Sequence, residues 1–168
     1  MRKTLALLAL SIAIIFACGV AQAATFNFHA DLTGSSVVPA NASPGIGSGT
    51  FVYDDVLSQL SYNIEFSGLI GAETLSHIQH AAAGVNGPIA FQFPLTGSPK
   101  AGVWTAASAN PLTPELVSEL FAGNLYVNIH TNQYAGGEIR GQILPVPEPA
   151  SLVGLAMGAC ALFLRRRR

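Results

Sequence analysis

Asn124-Leu125-Tyr126-Val127-Asn128-Ile129-His130 and, after a loop through Gly136-Gly137, Glu138-Ile139-Arg140-Gly141-Gln142-Ile143-Leu144 are the two runs whose reading decides the fold. In each, apolar and polar residues alternate at every second position, the period of a β-strand with two unlike faces. Paired as an antiparallel hairpin, one register sets His130 opposite Glu138, Asn128 opposite Arg140 and Tyr126 opposite Gln142. The same register joins Ile129 to Ile139, Val127 to Gly141 and Leu125 to Ile143 on the other face. A slip of one residue would mix the two sets, so the pattern specifies the pairing. The polar face gathers an imidazole, a carboxylate, a guanidinium and two amides, which makes Asn128, His130, Glu138 and Arg140 the candidate binding face. The plainer reading is a solvated sheet face on which Glu138 and Arg140 are same-side neighbours.

Outward from this hairpin the strand period recurs. Phe26, Phe28, Ala30 and Leu32 alternate with Asn27, His29 and Asp31 and predict a first strand. Gly47 to Tyr53 and Gln59 to Phe66 follow, separated by a turn around Asp54-Asp55, and Pro88 to Leu95 and Gly102 to Ala107 are further candidates. Thr113-Pro114-Glu115 reads as an N-cap, a proline at the first helical position and an acid in the first turn, with Gly123 as terminator. One short helix is expected there, packing through Leu116, Leu120 and Phe121. Many short strands with Gly- and Pro-rich turns predict an all-β fold, a Greek-key β-sandwich or barrel of immunoglobulin-like or superoxide-dismutase-like kind.

Both ends differ from this middle. Met1-Arg2-Lys3 is a basic start, Thr4 to Val20 is nearly unbroken Leu, Ala, Ile and Phe, and Ala21-Gln22-Ala23 is an A-x-A cleavage site before Ala24. Residues 1–23 therefore read as a secretory signal peptide. The run is short for a retained membrane span, and Phe16 fits poorly with lipidation at Cys18. At the other end, Val146-Pro147-Glu148-Pro149-Ala150-Ser151 precedes an apolar run from Leu152 to Leu164 and then Arg165 to Arg168. A helix from Ala150 to Leu164 would cover about 22 Å of a hydrocarbon core about 30 Å thick. The arginines would stay cytoplasmic and leave the domain outside. This tail, residues 146–168, resembles the PEP-CTERM sorting signal. The resemblance implies an exosortase in a Gram-negative bacterium, removal of the tail, and association with exopolysaccharide or biofilm matrix. An ordinary C-terminal anchor would share the address but keep the tail.

The remaining domain, residues 24–145, has the size of one core. It keeps eight of the nine acids but only Lys100 and Arg140 of the eight bases, a net charge of −6 with His neutral. Such a domain is repelled by phosphate backbones and anionic lipid, which argues against nucleic acid and makes metal cations or neutral sugars better partners. Both cysteines, Cys18 and Cys160, lie in the sorting segments, so stability rests on packing without a disulfide.

The middle resembles the CHRD domain family, named for its occurrence in the extracellular protein chordin. Leu125-Tyr126-Val127-Asn128-Ile129-His130-Thr131, Tyr134 and Gly136-Gly137-Glu138-Ile139-Arg140-Gly141-Gln142 carry the resemblance. Ser76-His77-Ile78-Gln79-His80 through Gly84-Val85-Asn86-Gly87-Pro88 is similar to that family's His-Ile-His and Asn-Gly-Pro block, and Phe28 to Pro39 to its opening strand. The resemblance implies a secreted all-β module. Where the family has a second histidine two positions after the first, this chain has Gln79, with His80 one later.

That departure bears on a metal site built from His77, His80 and His130 with Glu138 nearby. Histidines three apart on a strand point oppositely, so His80 could join only through a turn or bulge near Gln79-His80-Ala81. Zinc or copper would suit the imidazoles. Ser76-His77 lacks the surroundings of a nucleophile elbow, Asp54-Asp55 lacks the spaced acids of a calcium loop, and a glycosidase pair cannot be read from scattered carboxylates. Trp104 and Tyr134 could stack on a sugar, although a lone Trp suits the core. The expectation is thus a non-catalytic, cofactor-free module acting by binding or assembly at the envelope, outer surface or extracellular matrix. Signal peptidase and exosortase are its export partners, matrix polysaccharide or protein its working partner, and the C-terminal segment holds it to the membrane before processing. A zinc or copper protein with superoxide-dismutase-like activity and a polysaccharide-binding module are the alternatives.

Overall fold

The computed structural model describes residues 24–147, so the signal peptide and the sorting tail beyond Pro147 lie outside the described residues. Nine strands form one antiparallel sheet: β1 (Thr25–Thr33), β2 (Ile46–Asp54), β3 (Gln59–Ser67), β4 (Glu73–His80), β5 (Ile89–Gln92), β6 (Lys100–Thr105), β7 (Leu125–Thr131), β8 (Ile139–Gln142) and β9 (Leu144–Pro145). Around the wall they run β5-β4-β7-β8-β1-β2-β3-β6, with β9 pairing β1. The sheet curls into a nearly closed barrel, the all-β class expected from the sequence. Strands β4 to β7 stand in the order β7-β4-β5-β6, the spatial order of a Greek key, with the step from β5 to β6 made by side chains.

The meander β1-β2-β3 follows directly from alternation. Phe28, Ala30 and Leu32 on β1, Phe51 and Tyr53 on β2, and Leu60, Tyr62 and Ile64 on β3 all point into one core. Asp54 makes the β2–β3 turn by accepting the Val56 and Leu57 amides at 3.0 and 2.8 Å. Two outer segments differ from expectation: β5 is confined to Ile89–Gln92, and β6 starts two residues early, at Lys100. Strand β4 has no counterpart among the strands expected from periodicity. Ser76, His77 and Ile78 are consecutively buried, and a strand covered on both faces has no hydrophobic period to detect.

Side chains close the gap between edge strands β5 and β6. Phe91 stacks on Trp104 with ring centroids 5.2 Å apart, and Tyr62 meets Phe91 and Phe93 edge-on. Lys100, fully buried, reaches Glu73 at 2.7 Å and donates to the Pro94 carbonyl at 2.9 Å. Both basic residues of the domain, Lys100 and Arg140, are therefore inside the protein.

Helix α1 (Pro114–Phe121) closes the pole where β1 begins and β9 ends. Its cap is the expected one: the Thr113 hydroxyl accepts the Leu116 amide at 3.3 Å, Pro114 opens the first turn, and Gly123 leaves it at φ +73°. Leu120 is buried, while the Phe121 ring lies edge-on to Phe26, Phe28 and Tyr53. At that same pole Val146 donates to the Asn27 carbonyl at 2.8 Å, and Asp55 accepts the Ala24 amide at 2.9 Å. The two ends of the domain thus lie together.

Trp104 is the largest fully buried side chain, and its indole N–H donates to the Asn110 carbonyl at 2.7 Å. Trp104→Ala is expected to cost about 3–5 kcal/mol by opening a cavity in the seam, read as a shift of the urea midpoint. A shift within error would mean that the seam does not hold the core.

Candidate functional site

Strands β7 and β8 pair in the register that alternation specifies, from Tyr126–Gln142 through Asn128–Arg140 to Ile129–Ile139. Leu125, Val127, Ile129 and Ile139 face the core, so Tyr126, Asn128, His130, Glu138, Arg140 and Gln142 share the outer face. That face is not solvated. Asn128, Glu138 and Arg140 are 3%, 0% and 2% exposed, because loop segments around Ser43, Ile70 and Val85 fold over them.

Glu138 and Arg140 are two apart on β8 and point the same way, yet they form no ion pair. The Glu138 carboxylate accepts four donors: Ser43 Oγ at 2.7 Å, the Ile70 amide at 2.6 Å, Thr131 Oγ1 at 2.6 Å and the Gly71 amide at 3.4 Å. Burial pushes its pKa up, but the bonds from Thr131, Ile70, Ser43 and Gly71 outweigh burial and hold it below the usual carboxylate value. With its lone pairs occupied, this carboxylate is committed to the fold. Arg140 bonds the Val85 and Ala82 carbonyls at 2.9 and 3.4 Å and Asn86 Oδ1 at 3.3 Å, and its guanidinium lies 3.4 Å above the Tyr126 ring. Burial lowers its pKa, and Tyr126 opposes that shift. A cleft of about 270 Å³ lined by Ser35, Ser36, Val38 and Gly84 lies over it.

Amides complete the layer. Asn128 donates to Gln79 Oε1 at 3.1 Å and to the Gly136 carbonyl at 3.3 Å, Gln79 donates to the Gly87 carbonyl at 3.2 Å, and Tyr126 Oη accepts the Gly87 amide at 3.0 Å. Gln142 reaches the Ala81 and Gly123 carbonyls at 3.0 and 2.7 Å. Gly137 has φ +124°, and a Cβ there would run into the Asn128 amide. Asn41, Ser43, Asn86 and Thr131 belong to this layer as well, although sequence reading assigned them no role. Asn41 holds the Gly137 and Glu138 carbonyls at 3.2 and 3.1 Å, and Asn86 ties Arg140 to the Val38 carbonyl. The signals for them in the sequence were Asn86 standing before Gly87-Pro88 and Thr131 closing the Asn128-Ile129-His130 run.

The three histidines of the expected metal site do not meet. Strand β4 continues to His80, and although its pairing with β5 shifts register between Ile78 and Gln79, its pairing with β7 stays in step, with His77 opposite Asn128 and His80 opposite Leu125, so His80 is not brought round. His80 lies on the core side, 3.4 Å from Glu119 of α1. His77 and His130 share the outer face, with ring centroids 5.2 Å apart at 66°. Burial, and then the neighbouring His130, lower the His77 pKa. Among the described residues no three His, Cys, Asp or Glu side chains gather as a metal centre.

Acidification is expected to remove the contribution of Glu138. Its folded pKa lies below the unfolded one, so the stabilisation is complete above the ordinary carboxylate pKa and is lost as pH falls through the folded value. Glu138→Gln should cost about 1.5–3 kcal/mol at neutral pH, because an amide nitrogen then faces N–H or O–H donors. It should also flatten the acid limb of the stability–pH curve measured by urea denaturation. An unchanged acid limb would show that other carboxylates dominate it.

No curated protein and no solved structure matches the chain. The family model described as CHRD domain matches residues 28–143, from the middle of β1 to the end of the β7–β8 hairpin. That span contains the whole polar layer and most of the barrel, and the chain belongs to the CHRD domain family, whose modules are associated with secreted or extracellular proteins.

Proposed function

We propose that this protein is an exported CHRD module that works without catalysis, by binding or assembly at the cell envelope or in the extracellular matrix, after sorting by an exosortase. One observation supports the binding role above others: the ionised groups of the polar layer engage the protein's own loops. Glu138 holds Ser43, Ile70 and Gly71, while Arg140 holds Ala82, Val85 and Asn86. Loops fixed in this way lose little entropy when a partner docks. Two of the held residues turn apolar side chains outward, Ile70 at 56% and Val85 at 54% exposure. The working surface is therefore the loop platform above the layer, and the layer is its support.

Charge narrows the partner class. With both bases buried, the outer surface of residues 24–147 carries carboxylates and no Lys or Arg. A neutral polysaccharide or an uncharged protein face suits that surface better than a polyanion.

Ile70→Asp and Val85→Asp are expected to leave the melting temperature nearly unchanged and to weaken retention on isolated matrix by about tenfold, or about 1.4 kcal/mol. Retention equal to that of the unaltered protein for both variants would overturn the platform reading. Separate glycan and protein capture would then identify the partner class. Sorting has its own test in an exosortase-bearing host: Glu148→Ala should keep the tail attached, as read by intact mass. Removal of the tail from that variant would reject the sorting assignment.

A further inference from the structure

The polar layer satisfies nearly all of its members, which makes its exceptions informative. His77 Nδ1, His130 Nε2 and Asn128 Oδ1 are buried and have no hydrogen-bond partner. The two ring nitrogens belong to neighbouring imidazoles on one face of the β4–β7 pair: His77 opposes Asn128, and His130 lies two residues further along β7. His130 Nδ1 lies 2.9 Å from the Ala135 carbonyl oxygen. A carbonyl can only accept, so in the neutral ring Nδ1 carries the proton and Nε2 presents a lone pair. A backbone carbonyl that fixes the far nitrogen of a histidine is also the usual support of a metal-ligating ring.

Leaving such groups buried and unpaired is unfavourable. A cation that accepts lone pairs would relieve both nitrogens together. We propose that His77 and His130 bind one zinc or copper ion between His77 Nδ1 and His130 Nε2. Two nitrogens on a tetrahedral zinc, each at about 2.0–2.1 Å, stand about 3.3 Å apart. Rings with centroids 5.2 Å apart can provide that span. Imidazole nitrogen suits both metals, and the carboxylates of the surface raise the local concentration of cations. His130 is partly exposed, which gives the ion a way in.

His80 and His29 have no part in the site, since they lie beside Glu119 and Asp31 respectively. Two protein ligands leave further positions to water or to a donor from a partner, so the expected affinity is modest. The site goes beyond the binding-or-assembly role and can fail while the loop platform still engages its partner.

The test uses the full-length protein purified in detergent and titrated calorimetrically with zinc or copper(II) alone. A single binding event is expected, lost in His77→Ala and in His130→Ala and kept in His80→Ala and His29→Ala. Because His77→Ala can perturb β4, the unaltered protein is also followed by ¹⁵N NMR of its imidazoles, where zinc should shift His77 Nδ1 and His130 Nε2 selectively. Absence of binding, binding that survives His77→Ala, or imidazole shifts confined to His29 or His80 would each overturn the proposal.

Discussion

A carboxylate removed from water with no cation beside it must be surrounded by donors, and the outer wall of this barrel is organised around that requirement. Glu138 draws a serine hydroxyl, a threonine hydroxyl and two backbone amides from three separate parts of the sequence. Two residues along the same strand, Arg140 has the complementary need and meets it with carbonyls and an aromatic face. Had the two side chains bonded each other, the loops would have lost their attachment. Their separation turns two buried charges into two anchor points, and strands β7 and β8 become walls with protein on both sides.

How much of this was legible in the sequence depends on how local each signal is. The β7–β8 register was legible because alternation is a property of neighbouring residues, and one pairing alone sorts both faces. The helix was legible from Thr113, Pro114 and Gly123 for the same reason. Burial of the polar face was not, since the groups that cover it are mostly backbone amides and carbonyls, which every residue type possesses. Ile70 contributes a backbone amide and Val85 a backbone carbonyl, and nothing in their side chains announces that use. Strand β4 escaped for a related reason: with Ser76, His77 and Ile78 all enclosed, its composition follows no single face.

The candidate site follows the same division. Asn128, His130, Glu138 and Arg140 do occupy one face, as their spacing indicates, but what each one touches is decided by loops distant in sequence. His77 and His80 show the limit of spacing arguments from the other side. Three residues apart on a strand whose pairing with β7 stays in step from Leu75 to His80, they face opposite ways, one toward His130 and the other toward α1.

The shared pole of the domain's two ends has a mechanical meaning. Strand β9 holds β1 through only two residue pairs, Phe28–Pro145 and His29–Leu144, and both strands reach the same end of the barrel. Tension applied through Pro147 therefore reaches these two pairs, and the Val146 amide on the Asn27 carbonyl, before it reaches the rest of the barrel wall. The β7–β8 loop and Ile70 lie at the opposite pole, near Thr131. A load that enters through Pro147 thus meets α1 and β9 first, with Ile70 at the far end of the barrel.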